Sequence, residues 1–264
     1  MLASSTTVEG PGCHVTMRLS DDRVIATSAG AVLIVARVLM VRGAAARLLA
    51  FRVADTHLHV LLGCTRPEAG HFAHRAALAL HNLLRLRVPF EPTRVRPVVD
   101  QRHLYSAFRY VMRQQDHHGV ASDPAHDGSS LPDLLGMRIL EPDHALTVRM
   151  MLPRLDLREV AASLRFSLAA ADATPPALLA PSAAAAVGLP DLSGRSPACV
   201  RARRAAVHAA ASLLPTSALS DALSASSRSI QRLRTDEAEP RLVRAVGLQW
   251  RFRASLVERG LLLG

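Results

Sequence analysis

The 264-residue sequence contains no lysine, so arginine carries all of its formal positive charge. The formal net charge is +10 at pH 7. A surplus of this sign favours a polyanionic partner, because neutralising phosphates releases counterions. Arginine also makes bidentate contacts with phosphate and with guanine. A GC-rich genome produces the same bias toward arginine and alanine, so the composition favours a nucleic-acid partner without establishing one.

Aromatic residues and cysteines are scarce. The first scarcity limits which residues can form the core, and the second indicates the redox conditions of the cellular compartment. Aromatics are 3% of the chain and hydrophobic residues 49%, so Leu, Val and Ala are expected to build the core, and the composition disfavours wholesale disorder. Cys13, Cys64 and Cys199 form no C-x-x-C pair, which excludes a disulfide framework and a zinc finger. No signal peptide is apparent, and the apolar stretch 29–41 is too short to span a bilayer. These features predict a cytoplasmic protein with no membrane partner.

Alternation and helical periodicity predict the order β-α-β-β-α-β-α for the first half of the chain. The expected strands cover 13–19, 48–53, 57–64 and 93–99, and the expected helices cover 23–46, 72–87 and 101–117. Pro97 predicts that the last strand lies at a sheet edge. The first six elements match the ferredoxin-like split motif, an antiparallel sheet with helices on one face. The fold class is therefore predicted to be α+β.

In the second half of the chain the sequence pattern predicts only helices. We expect a catalytic domain at 1–122, a helical extension with an Ala/Pro-rich linker at 123–197, and a helical domain at 198–264. The extension has loop composition at 121–132 and a helical pattern at 131–168. Its linker is the Ala-, Pro- and Ser-rich run 169–197, in which a short helix can form. The last domain predicts short helices at 201–214, 218–223, 228–234 and 241–259.

Two of these helices follow the order of a helix-turn-helix motif. The motif consists of a short helix, a tight turn and a second helix. Here these elements are expected at 218–223, in the Ser-rich stretch that follows, and at 228–234. The second helix carries side chains able to reach base edges and phosphates, namely Arg228, Gln231, Arg232 and Arg234. A small helical bundle with an arginine-rich surface fits the same pattern, and both interpretations stay open here.

The triplet His57-Leu58-His59 lies in the apolar run predicted as the third strand. Side chains alternate along a strand, so His57 and His59 point to one face and Leu58 to the other. Two imidazoles on one face form half of a divalent-metal site. With twelve histidines in the chain, such a triplet also arises by chance, so the rest of the sequence has to supply the context.

The helix predicted at 101–117 supplies a further ligand and a nucleophile. Tyr110 and Gln114 stand at i and i+4, one turn apart on one face. If that face covers the histidines, the Gln114 amide oxygen can complete a Mg²⁺ or Mn²⁺ site that shares a phosphate oxygen. A tyrosine beside such a metal suits phosphoryl transfer through a phosphotyrosine intermediate. Tyr105 is the competing nucleophile, but it faces elsewhere and has Arg109 at i+4.

These motifs resemble the single-tyrosine HUH transposases, particularly the REP-associated tyrosine transposases. The resemblance covers about residues 13–120 and rests on the segments His14-Val15-Thr16-Met17-Arg18, His57-Leu58-His59 and Phe108-Arg109-Tyr110-Val111. Beyond that range, Ser129-Ser130-Leu131-Pro132-Asp133-Leu134-Leu135-Gly136 resembles the continuation of the family sequence. It implies that His57, His59 and Gln114 hold the metal and that Tyr110 cuts single-stranded DNA. Relatives often continue after the tyrosine with Asn-Pro and a basic stretch, whereas this chain has Gln114-Gln115-Asp116-His117-His118-Gly119.

The same resemblance implies the partners. The substrate is expected to be single-stranded or hairpin DNA, with a homodimer as the working form. Around the histidine pair we expect Arg18, Arg94 and Arg96 to contact this DNA. The function predicted is a metal-dependent DNA endonuclease and strand transferase.

Two other functions compete with this prediction. One is a DNA-binding regulator whose catalytic fold is inactive and whose helix-turn-helix is the working part. The other is a metal-dependent hydrolase of small phosphate esters, which the lack of an acidic ligand cluster disfavours. The chain has no G-x-S-x-G, P-loop or G-x-G-x-x-G motif, so the corresponding hydrolases and nucleotide-binding folds are not indicated.

Overall fold

The computed structural model describes residues 10–114, 127–163 and 174–258, which belong to two compact units. Of the described residues, the first unit comprises 10–114, 128–130 and 146–156. The second comprises residue 127 and the ranges 131–145, 157–163 and 174–258. Each unit is described by itself below.

The first unit contains a four-stranded antiparallel sheet, which confirms the predicted α+β class. Its elements are β1 (Gly12–Arg18), α1 (Ala29–Gly43), β2 (Leu48–Ala54), β3 (His57–Leu62), α2 (Arg66–Leu83), β4 (Arg94–Val98) and α3 (Gln101–Met112). The strands are ordered β2-β3-β1-β4. The predicted order of elements is therefore found, and β4 lies at an edge, where Pro97 removes a backbone donor at little cost.

Helix α1 begins later than the sequence predicts. The expected start near Arg23 relied on a cap at Ser20, but Ser28 is the cap and its side chain accepts a hydrogen bond from Ala31 N at 3.2 Å. Together with a following 3₁₀ turn the helix forms an 18-residue apolar stretch, Ala29–Ala46, whose length and composition would suffice to cross a membrane. Half of that stretch is buried, and α1 packs against β2 and α2, which is compatible with a core helix of a soluble protein.

One face of the sheet forms the apolar core. Val15, Met17, Leu58 and Val60 all have no exposed surface. Helices α1 and α2 pack against each other and against the sheet on this side. Each buried aliphatic side chain contributes about 1.5–3 kcal/mol relative to an exposed one, so this face holds the strands in register.

The opposite face carries the polar side chains, and the register aligns them. Thr16 on β1 lies opposite His59 on β3 and opposite Arg94 on β4. Gly12 starts β1 where a Cβ would lie 2.2 Å from the Leu62 carbonyl oxygen, so only glycine permits this approach of β1 to β3. The turn between β2 and β3 uses Asp55 at φ +40°, which brings His57 in as the first residue of β3.

Helix α3 covers this polar face. It packs against β2, β3 and β4 and buries Leu104, Phe108 and Val111. Asp100 begins the helix as predicted, because its carboxylate accepts a hydrogen bond from His103 N at 2.7 Å. The helix ends at Met112, and residues 115–117 of the predicted helix lie outside the described residues.

Helices make up the described secondary structure beyond residue 130, which confirms a helical C-terminal region. They are α4 (Leu131–Leu134), α5 (His144–Met151), α6 (Leu157–Ser163), α7 (Leu179–Ala186), α8 (Pro197–Ala210), α9 (Thr216–Leu223), α10 (Ser227–Thr235) and α11 (Pro240–Glu258), with a 3₁₀ turn at Pro176–Leu178. The four helices predicted after residue 200 are present as α8 to α11.

The run 169–197, predicted as a linker in which a short helix can form, does contain one in its second half. Residues 179–186 form helix α7, which packs against α8, α9 and α11, and its Ala183–Ala186 are buried in the core of the second unit. Alanine has the highest helix propensity, and its small side chain lets helices approach closely. A composition that suggested a linker therefore forms a core helix once partner helices cover it.

Candidate active site

The histidine pair lies at the start of β3 under helix α3. His57 and His59 share one face, as strand alternation predicts, and their ring centroids are 4.6 Å apart with planes at 73°. His59 is buried with 4% of its surface exposed, whereas His57 is half-buried. One imidazole thus lies inside the protein and the other faces the surface.

A third histidine joins the pair from β1. His14 Nε2 lies 3.0 Å from His59 Nδ1, and the two rings stack with centroids 5.2 Å apart and planes at 18°. The contact arises because β1 and β3 are neighbours, with Thr16 opposite His59 and His14 opposite Leu61. The sequence reasoning used His14 only as part of a family motif and assigned it no role.

The environment of His14 favours its neutral form. Burial lowers the pKa of His14 to about 4, and the nearby charges of Arg96 and His103 add to the effect. A neutral imidazole has one donor and one acceptor nitrogen, so it can either give or receive the hydrogen bond to His59.

Tyr110 stands over the histidines. Its ring meets His59 edge-on at 5.5 Å and His14 edge-on at 5.7 Å, with planes at 88° and 78°. The residue keeps 41% of its surface exposed, so it is accessible from solvent. Tyr105 is held elsewhere, since its hydroxyl accepts a hydrogen bond from Arg154 N at 2.6 Å.

Gln114 is the buried polar residue nearest in sequence to Tyr110. It is 1% exposed, and its Nε2 donates to the Tyr110 carbonyl oxygen at 2.9 Å. Its Oε1 atom is also buried and has no hydrogen-bond partner among the described residues. A buried amide oxygen without a donor costs about 1–3 kcal/mol, a cost that a bound cation would remove.

These donors fit a hard divalent cation that retains water or phosphate ligands. Two imidazoles and one amide oxygen are the types of ligand that Mg²⁺ and Mn²⁺ accept beside oxygens of the substrate. Within residues 10–114, 127–163 and 174–258, no group of three or more His, Cys, Asp or Glu side chains is arranged as a metal site. A cation at this position would therefore depend on the Gln114 amide.

A cleft of about 230 Å³ opens beside His57. The Thr16 and Thr56 hydroxyls and the side chains of Arg18 and Arg94 line it. Arg18 is paired with Glu91 and lies 3.6 Å from Asp22, two acidic cleft residues that sequence reasoning missed. Arg96 is exposed on β4, opposite His14 and next to this face. The three arginines predicted to contact DNA thus share the face of the sheet that carries the histidines.

The other predicted arginines lie on α10 in the second unit. A turn at residues 224–226 joins α9 to α10, with Ser224 at φ +47° and Ser226 capping the new helix. Ile230 and Leu233 bury one side of α10, and Arg228, Gln231 and Arg232 are exposed on the other. Arg234 is half-buried and donates to the Leu214 carbonyl oxygen at 3.3 Å. Three of the four side chains are therefore accessible, and the fourth joins α10 to the turn between α8 and α9.

Comparisons with protein-family models, with curated proteins and with solved structures found no match for this chain. The function is therefore inferred from the geometry of the site together with the sequence motifs.

Proposed function

We propose that the chain is a metal-dependent single-stranded DNA endonuclease and strand transferase of the single-tyrosine HUH type. The strand order β2-β3-β1-β4 with α1 and α2 on one face supports the ferredoxin-like form of the sheet. The observation that carries the proposal is the position of Tyr110 edge-on above His59, with the unsatisfied Gln114 oxygen one turn away.

Each residue of the site has a separate role in this proposal. His57, His59 and Gln114 would hold the divalent cation, Mg²⁺ or Mn²⁺, which supplies Lewis-acid polarisation of a phosphate oxygen. Tyr110 loses its proton, and its oxygen forms a bond to phosphorus while the bond to the departing 3′ oxygen breaks and that oxygen is protonated. The 5′-phosphotyrosine link keeps the bond energy for rejoining to another 3′ end. Arg18 and Arg94 bind the phosphates on either side in the cleft.

The test is the covalent adduct itself. The purified full-length protein is incubated with single-stranded hairpin DNA and Mn²⁺, and the expected product is a denaturation-resistant complex whose peptide carries a nucleotide on Tyr110. EDTA should prevent its formation. Tyr110→Phe should reduce the adduct to background with DNA binding nearly unchanged, because only the nucleophilic oxygen is lost.

Tyr105→Phe is the matched control. It removes a hydroxyl from the same helix, one that accepts a hydrogen bond from Arg154 N, so its adduct should remain at the level of the unmodified protein. An adduct that persists in Tyr110→Phe, or that maps to Tyr105, contradicts the assignment of the nucleophile.

A second candidate function rests on helix α10. Its exposed Arg228, Gln231 and Arg232 follow a short turn, which favours a helix-turn-helix that reads duplex DNA. A chain that works only through this helix would be a DNA-binding regulator with an inactive catalytic fold. Sequence-specific binding of duplex or hairpin DNA without cleavage in Mn²⁺ is the result that favours the regulator. The homodimer and the cytoplasmic location stay predictions under either function.

A further inference from the structure

The contact between His14 and His59 restricts where their protons can lie. His14 Nε2 and His59 Nδ1 are 3.0 Å apart, so in the hydrogen bond between them one ring donates and the other accepts. If His59 donates from Nδ1, its lone pair is on Nε2. If His14 donates instead, the proton of His59 is on Nε2, and that nitrogen cannot bind a cation. The partner of His59 thus decides which nitrogen is available.

The surroundings hold His14 in this arrangement. Its ring stacks on His59 at 18°, and the Tyr110 ring lies edge-on to both imidazoles. His14 comes from a central strand whose pairing to β3 is continuous from Cys13 to Arg18. A histidine that ligates a metal usually donates its second N–H to a fixed acceptor, which sets both tautomer and ring orientation. His14 is the side chain in the position of that acceptor.

We infer that His14 is a positioning residue, which accepts the Nδ1 proton of His59 and so presents His59 Nε2 to the cation. This inference rests on the proposed function, because it assigns His59 as a ligand. It adds a residue from β1 to the site, one that touches neither substrate nor cation. Carboxylates and backbone carbonyls are the usual acceptors in such pairs, and here a neutral imidazole takes that part.

The test measures cation binding apart from activity. Mn²⁺ is titrated into the full-length protein, and the free ion is followed by electron paramagnetic resonance. His14→Leu removes the acceptor and should weaken Mn²⁺ binding by about 10–100-fold, the usual cost of losing an outer-shell partner. His14→Gln keeps an acceptor oxygen at the end of the side chain and should restore most of the affinity. His71→Gln, an exposed change on α2, is the matched control and should bind like the unmodified protein.

Nitrogen hyperfine spectra of the bound Mn²⁺ separate positioning from ligation. The expected count is two coordinated imidazoles both in the unmodified protein and in His14→Gln. A count of three that falls to two in His14→Gln would show that His14 is itself a ligand and would overturn the inference. Equal affinity of His14→Leu and the unmodified protein overturns it as well, whereas an unmodified protein that binds no Mn²⁺ contradicts the proposed function instead.

A measurement on the unmodified protein covers the case in which His14→Leu does not fold. Nitrogen-15 spectra of histidine-labelled protein without metal identify the tautomer of each ring, and His59→Gln assigns the signals. The inference requires His59 to carry its proton on Nδ1. A proton on Nε2 of His59 contradicts it without reference to any variant of His14.

Discussion

The two units carry candidate DNA-contacting surfaces of opposite construction. In the first unit, the site takes His14 from β1, His57 and His59 from β3, and Tyr110 and Gln114 from the end of α3 and the residues after it. In the second unit, the surface comes from a single nine-residue helix, α10. The first surface exists only when strands and helix are assembled in register, whereas the second needs only a capped helix with one side buried. Damage to one should therefore leave the other working.

The variant His59→Ala is expected to show the largest difference between its effect on the catalytic site and its effect on duplex binding by α10. Loss of a ligand should weaken Mn²⁺ binding by more than the roughly 10–100-fold typical of an outer-shell change and should reduce the tyrosine adduct to background. Duplex binding through α10 should be unchanged. Manganese titration, adduct yield and a duplex gel shift on the same preparation measure the three effects, with thermal unfolding to check that the variant folds. A loss of duplex binding together with the adduct would mean that the two surfaces act as one.

The converse change is the double variant Arg228→Ala/Arg232→Ala. Each side chain that contacts a base should contribute about 1–3 kcal/mol to duplex binding, and each one that contacts a phosphate should reduce the salt slope by about one. The adduct formed with a short single strand should stay at the level of the unmodified protein, since both arginines belong to the second unit. Affinities measured over a range of salt concentrations distinguish base from phosphate contacts. Unchanged duplex affinity would remove α10 as a DNA-binding helix.

The smallest expected effect is a difference in the free energy of unfolding between variants of two arginines on α10. Arg234 donates to the Leu214 carbonyl oxygen and is half-buried, so Arg234→Ala should lower the free energy of unfolding by about 1 kcal/mol. Arg232 is exposed, and Arg232→Ala should change stability by less than about 0.5 kcal/mol. Urea denaturation of both variants measures the difference. Equal stabilities would return Arg234 to the set of side chains available for DNA.

Much of the local structure could be predicted, because it depends on neighbours in sequence. The β2–β3 hairpin, the Asp100 cap and the presence of α8 to α11 follow from alternation, capping residues and helical periodicity, although α8 begins and ends four residues earlier than the predicted range 201–214. The errors come from choices between local signals of similar strength. Ser20 and Ser28 are both acceptable caps, and the alanines of α7 suit either a linker or a buried helix. Packing against α2 and against α8 and α11 decides these cases.

The sequence by itself determined that His57 and His59 share a face and that α10 presents an arginine-rich side. Each of these follows from the period of a single element. Only the tertiary structure decided that α3 covers the histidine face and that His14 lies beside His59. Periodicity shows which side chains of one element point the same way, but the pairing of β1 with β3 depends on burial of the Val15 and Val60 face, a property of the assembled sheet.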